Sequence, residues 1–201
     1  MFSRQSLAAT WKDVRPYFIF SMILFFAALV VGGSSDATMG LLLEQLSRMA
    51  ELANEARNAD NPQSAFFWII VKNNMVAFLS MMYLGIGLGI VPLVSCLING
   101  LMVGFVLHAA AEQGEQIWRI VLGLIPHGIV ELPALFLASG FGMMLGVGLW
   151  KGIWGTLIGK DAPWSLFRRS IVGSIPILLI LAIAVFVAAL IESTVSYAIA
   201  S

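Results

Sequence analysis

Charge, cysteine and histidine are all scarce in this chain. Among 201 residues stand only 11 Lys and Arg and 11 Asp and Glu, a formal net charge of zero. Soluble domains run about 25% charged and about 45–50% apolar; here the charged share is 11%, the apolar share 60% and the mean hydropathy +0.94. So little polar surface excludes a water-soluble domain and a disordered chain. The lack of a basic excess excludes a nucleic-acid footprint. Cys96 stands alone, which leaves no internal disulfide and no multi-thiolate metal site. Neither a Walker loop nor a dinucleotide fingerprint with a suitably placed acid occurs. The pair His127 and Glu131 reverses and shortens the zinc-peptidase pattern. No cofactor and no metal is expected.

What the chain does have is apolar runs. Five are long enough to cross a bilayer or nearly so, over 17–33, 75–91, 93–111, 129–150 and 171–191. A further run, 117–125, is too short to cross at 1.5 Å per residue and is expected as a short re-entrant or interfacial helix. The fold class expected is an all-α integral membrane protein, a single domain of five transmembrane helices. The first run has the look of a cleaved secretory signal. A 16-residue tail carrying Trp11, Arg4, Lys12 and Arg15 argues instead for a retained helix.

Five crossings put the two ends of the chain on opposite sides, and charge selects between the orientations. Arg4, Lys12, Arg15, Lys151, Lys160, Arg168 and Arg169 fall on one side. The other carries an acidic excess that includes Glu44, Glu51, Glu55, Asp60, Glu112, Glu115 and Glu192. Lys and Arg accumulate in cytoplasmic loops, so a cytoplasmic membrane protein is expected with its N-terminus inside and its C-terminus outside. All six tryptophans fall near span ends or in connections, where interfacial belts place them.

Residues 34–63 form the one substantial segment outside the spans. Met39, Leu42, Leu43, Leu46, Met49, Ala53 and Ala56 recur at helical spacing, opposite Glu44, Arg48, Glu51 and Glu55. This predicts an amphipathic helix. Ser34 or Ser35 is placed to cap its start, and Asn61-Pro62 to end it and open the next helix. Its apolar face either lies on the membrane or the bundle, or the helix docks a partner or gates a cavity.

Polar residues within apolar runs need partners, so the interruptions are informative. Pro126, Gly128 and Pro133 are expected to break or kink the fourth span. Between them His127 and Glu131 stand four apart, on one helical face. Ala134, Ala138, Gly142 and Gly146 continue that face as a stripe of small residues, which brings a neighbouring helix close. Three uses of the pair stay open: an interhelical hydrogen bond that fixes the bundle, a site that moves a proton, ion or polar solute, or, behind these two, metal binding or catalysis. Asn73 and Asn74, expected at the opening of the second span, and Asn99 in the third complete the candidate polar site. Gly100 and Gly104 form a second close-approach spacing, and two such stripes make a homo-oligomer the expected state.

These residues resemble the stage II sporulation protein M family of five-span membrane proteins. The resemblance rests on Pro126-His127-Gly128, then Glu131-Leu132-Pro133-Ala134, then Gly140 and Gly146. Asn73-Asn74, Gly85, Gly87, Asn99-Gly100 and Gly104 agree in type and order; Val130 stands where an aromatic residue is usual. The resemblance implies a cytoplasmic-membrane protein without enzymatic activity, a scaffold among lipids for envelope or peptidoglycan-remodelling proteins.

Overall fold

The computed structural model describes residues 3–32, 39–114 and 117–200, with the side chains of residues 39, 41, 42, 46, 117, 119–127 and 195–200 outside that description. Six helices follow in order: α1 (Arg4–Gly32), α2 (Met39–Arg57), α3 (Pro62–Leu84), α4 (Ile90–Glu112), α5 (Ile117–Leu157) and α6 (Ser165–Ala200). No strand occurs among the described residues. Helix is what a chain in hydrocarbon adopts, because each backbone N–H and C=O then finds its partner within the segment. All but α2 contain a stretch long and apolar enough to cross a bilayer. The chain is thus an all-α membrane protein with five spans.

At the centre stands α5, which packs against α1, α3, α4 and α6. Within its spanning window 72% is buried, against 22% for α1, α3 and α4 and 39% for α6. Residue pairs give the directions. Phe25 of α1 lies against Gly100 of α4 and Leu29 against Gly104, so these two helices run parallel. Met81 of α3 and Gly85 just after it meet Gly142 and Gly146 of α5, again in parallel. Against α5, α1 is antiparallel: Phe18 meets Gly140, while Phe25 stacks edge-on to Phe136 with ring centroids 5.4 Å apart. Phe167, at the start of α6, meets Gly148 near the end of α5. The chain therefore crosses back and forth, and the start of α1 and the end of α6 lie at opposite ends of the bundle.

Several boundaries differ from the expected ones. The second span, expected over 75–91, is α3, which begins at Pro62 and ends at Leu84. Lys72-Asn73-Asn74 interrupts the hydropathy of this helix without interrupting its backbone. As expected, Asn61 caps it, accepting from the Ser64 N–H at 3.1 Å, with Pro62 in the first turn. The turn into α4 is Gly85–Gly89, closed by a Gly89 N–H to Gly85 O bond of 2.7 Å, with left-handed φ at Leu88 (61°) and Gly89 (71°). No side chain in it is polar. Gly85 lies against Gly146, five residues before Lys151, so the turn stops about 7 Å short of the charged end of α5. A turn at that depth has to satisfy its own backbone. Pro92 sits in the first turn of α4, where its missing N–H does no harm, and the third span, expected over 93–111, is Ile90–Glu112.

The fourth span and the separate short helix expected at 117–125 are one element. Helical backbone continues from Ile117 through Pro126, Gly128 and Pro133 to Leu157, so the expected break is absent. Pro133 forfeits a single bond to the Ile129 carbonyl, whereas a true gap would free several backbone groups of the helix at once. The smaller loss prevails. At 41 residues α5 is about 61 Å long, twice the ~30 Å hydrocarbon thickness, so its first turns project beyond the spanning region. The outer spans are longer as well. The first, expected over 17–33, starts at Arg4 and tolerates Pro16, with residue 33 outside the described residues. The last, expected over 171–191, is Ser165–Ala200 and contains Pro176.

Within the expected amphipathic segment 34–63 lies α2; Ser34 and Ser35 fall outside the described residues. It leans on α3 and barely on α4. Ala56 is fully buried at its end, while Leu43 and Met49 are 53% and 58% exposed.

Candidate functional site

The polar centre joins three helices. Asn74 Nδ2 on α3 donates a hydrogen bond to Glu131 Oε1 on α5, and both side chains are half-buried. Glu192 on α6, also half-buried, lies within electrostatic range of the Glu131 carboxyl group. The small-residue stripe explains the placement. Ala134 and Ala138 are buried, Gly142 lies on the Met81 carbonyl and Gly146 on the Gly85 carbonyl, so the face carrying Glu131 is the one pressed on α3. Asn74, Phe78 and Met81 are spaced as one face of α3, which Gly85 continues at its cap, and Phe78 and Met81 are buried.

Depth follows from length. With Trp150 and Lys151 marking one interface, the 20 residues back to Glu131 span about 30 Å, the full hydrocarbon thickness. Glu131 therefore stands at the opposite edge of the apolar zone, where a polar group costs less than at its middle.

The other expected site residues divide. Backbone of His127 lies one helical turn before Glu131, but its side chain is outside the described residues, as is that of Pro126. Asn73 is exposed on the flank of α3. Asn99 is not part of the cluster: it is exposed on α4 and donates to the Ser95 carbonyl of its own helix at 2.8 Å. An Asn without a facing polar partner satisfies itself on the preceding turn. His108 is likewise exposed, with Nε2 3.5 Å from Glu112 one turn on. Gly100 and Gly104 face the Phe25 and Leu29 carbonyls of α1. Both small-residue stripes are thus occupied within one chain.

Two features lay beyond sequence reasoning. Glu192, expected among the exterior charges, is carried back to the bundle by the length of α6. A set of small polar groups also ties the core together: Ser139 Oγ donates to the Pro92 carbonyl at 3.0 Å, and Cys96 Sγ to the Ser21 carbonyl at 3.2 Å. Among the described residues no buried side-chain nitrogen or oxygen lacks a hydrogen-bond partner. None of their His, Cys, Asp and Glu side chains gather in a group of three that could hold a metal ion.

Helices of alternating direction around one buried helix, with a polar link at the edge of the apolar zone, define a polytopic helical membrane protein. The stage II sporulation protein M family matches residues 17–197, and the chain belongs to that family. An uncharacterised protein of Methanocaldococcus jannaschii is 26% identical over 184 residues, covering 91% of this chain and 79% of that one. No solved structure matches.

Proposed function

We propose that this protein is a non-catalytic scaffold of the cytoplasmic membrane, a component of an envelope-remodelling complex that presents α2 to its partner proteins. The observation that carries this reading is the state of α2. Its last turns are anchored through Leu52, Ala53 and Ala56, while Leu43 and Met49 stay exposed beside Glu44, Glu51 and Glu55. An amphipathic helix held at one end suits docking into an apolar groove with a basic rim. In this reading Asn74 and Glu131 form a clasp between α3 and α5. Assembly with a second copy has to use faces other than the two occupied glycine stripes.

A second reading, transport of a proton, ion or polar solute, is favoured by one feature. Glu192 of α6 lies within electrostatic range of Glu131, which accepts from Asn74, and ionisable residues in membranes often mark a pathway. Two variants separate the readings. Leu43→Glu/Met49→Glu is expected to abolish photo-cross-links from α2 to partner proteins while leaving thermal unfolding unchanged. Glu131→Gln is expected to keep those cross-links. A wild-type ion or proton flux in liposomes that Glu131→Gln abolishes in a folded protein would give the site to transport instead.

Orientation has its own test. In a Cys96→Ser background, Glu51→Cys is expected to react with an impermeant thiol reagent in intact cells, and Lys160→Cys only after permeabilisation. The reverse pattern would invert the topology.

A further inference from the structure

At the end of the bundle remote from Glu131, a cleft lined by charged, hydroxyl and apolar side chains, Ala9 and Val172 among the last, separates α1 from the start of α6. It encloses about 270 Å³ between Ser6, Thr10 and Asp13 on α1 and Arg168, Arg169 and Gly173 on α6. Gly173 lets the helices close: a Cβ there would stand 3.0 Å from the Thr10 side chain. Arg169 is committed to Asp13, with Nε 2.9 Å from one carboxylate oxygen and Nη2 3.4 Å from the other. Arg168 is exposed and forms no ion pair among the described residues. The Thr10 hydroxyl donates to the Ser6 carbonyl at 3.1 Å. The Ser6 hydroxyl makes no hydrogen bond to a described residue, so it is available as a donor.

A second, apolar cavity lies further along α1. About 350 Å³ lies among Pro16, Tyr17 and Phe20 on α1, Leu88 in the α3–α4 turn, and Met143 and Val147 on α5. Positions 6, 10, 13, 17 and 20 recur at intervals of three and four, which puts the two cavities on one face of α1 in successive turns. Trp11 and Trp164 lie beside the first cavity in sequence, and Trp11 is 46% exposed. Such rings mark headgroup depth. The order is therefore cationic and hydroxylic at the headgroup level, then apolar toward the bilayer interior.

We propose that this face of α1 binds an anionic phospholipid. The phosphate takes its hydrogen bonds from the Arg168 guanidinium and the Ser6 hydroxyl, and an acyl chain lies over Tyr17 and Phe20 toward the apolar cavity. Two arginines and one aspartate leave the cleft a single net positive charge, which suits a headgroup with one negative charge, such as phosphatidylglycerol. Basic clefts between helices at a membrane surface recognise acidic headgroups by the same chemistry. The site is independent of the scaffold reading and of the Glu131 cluster.

The test uses the full chain in detergent, with lipid retention read by native mass spectrometry and stability by thermal unfolding. Phosphatidylglycerol is expected to stay bound and to raise the unfolding temperature, and phosphatidylcholine and inorganic phosphate to do neither. Arg168→Gln is expected to lower phosphatidylglycerol occupancy about fivefold, the effect of one basic residue at a membrane surface. Arg168→Lys keeps the charge and is expected to restore most of it. Asp13→Asn, which releases Arg169, is expected to raise occupancy. Equal stabilisation by inorganic phosphate would overturn the lipid assignment in favour of a soluble anion. Unchanged occupancy in Arg168→Gln would remove the site altogether, as would a loss matched by Arg57→Gln at the other end of the bundle.

Discussion

Replacing Gly142 with leucine is expected to force α3 off α5 and lower the unfolding temperature by roughly 6–12 °C, the equivalent of about 3 kcal/mol in a chain of this size. A Cβ at this position would fall on the Met81 carbonyl, with the Pro92 ring 3.1 Å away. The obstacle is backbone, so no rotamer change relieves it. The helices have to separate, and Phe78, Met81 and Met82, all buried, lose their contacts with it. Gly128, earlier in the same helix, is the control. There, among the described residues, a Cβ meets only Leu132 Cδ1 at 4.0 Å, so Gly128→Ala gains helix propensity of up to ~1 kcal/mol and is expected to be neutral or stabilising. The contrast separates a glycine required for close approach from one that is not. Unfolding of Gly142→Leu close to the wild-type temperature would mean that α3 does not lie on α5 at this level.

That glycine was legible in the sequence because the signal was an interval. Glu131, Ala134, Ala138, Gly142 and Gly146 recur every three or four residues, and a helix turns such a list into a face whatever surrounds it. The partner of Glu131 was not legible in the same way. Averaged hydropathy makes Lys72-Asn73-Asn74 a boundary, yet one cation and two amides do not end a helix capped by Asn61 and continued to Leu84. Once α3 is moved back to Pro62, Asn74 falls well inside it and meets Glu131. Pro133 misled for a related reason. Proline removes one N–H and leaves the rest of the ladder intact, so a long helix can run through it with the loss of a single bond. Asn99 shows the converse limit: an Asn in an apolar helix signals a need for a partner, but its own preceding turn can supply one.

Whether the Asn74–Glu131 link is a clasp is decided by what happens when both halves are removed. Glu131→Ala is expected to destabilise by about 1–3 kcal/mol, because the Asn74 amide is left without its acceptor in a half-buried place. Asn74→Ala is expected to cost at least as much, since the group stranded there is a carboxyl beside a second one, Glu192. Glu131→Gln retains a carbonyl oxygen where Asn74 donates, so most of the stability should return. The double variant Asn74→Leu/Glu131→Leu is expected to be more stable than Glu131→Ala or Asn74→Ala, because replacing both partners by apolar groups removes the unmet hydrogen bond along with the bond itself. Unfolding in mixed micelles gives the four free energies, and Asn74→Ala, Glu131→Ala and their double variant complete the cycle that isolates the pairwise coupling. Additive losses would mean that the two side chains do not depend on each other, which would remove the clasp. The stable leucine pair then carries the functional question further than any single substitution. As a scaffold the protein should keep its partners through α2 with no polar group left at positions 74 and 131, whereas a transport site emptied of its amide and its acid has nothing left to transfer.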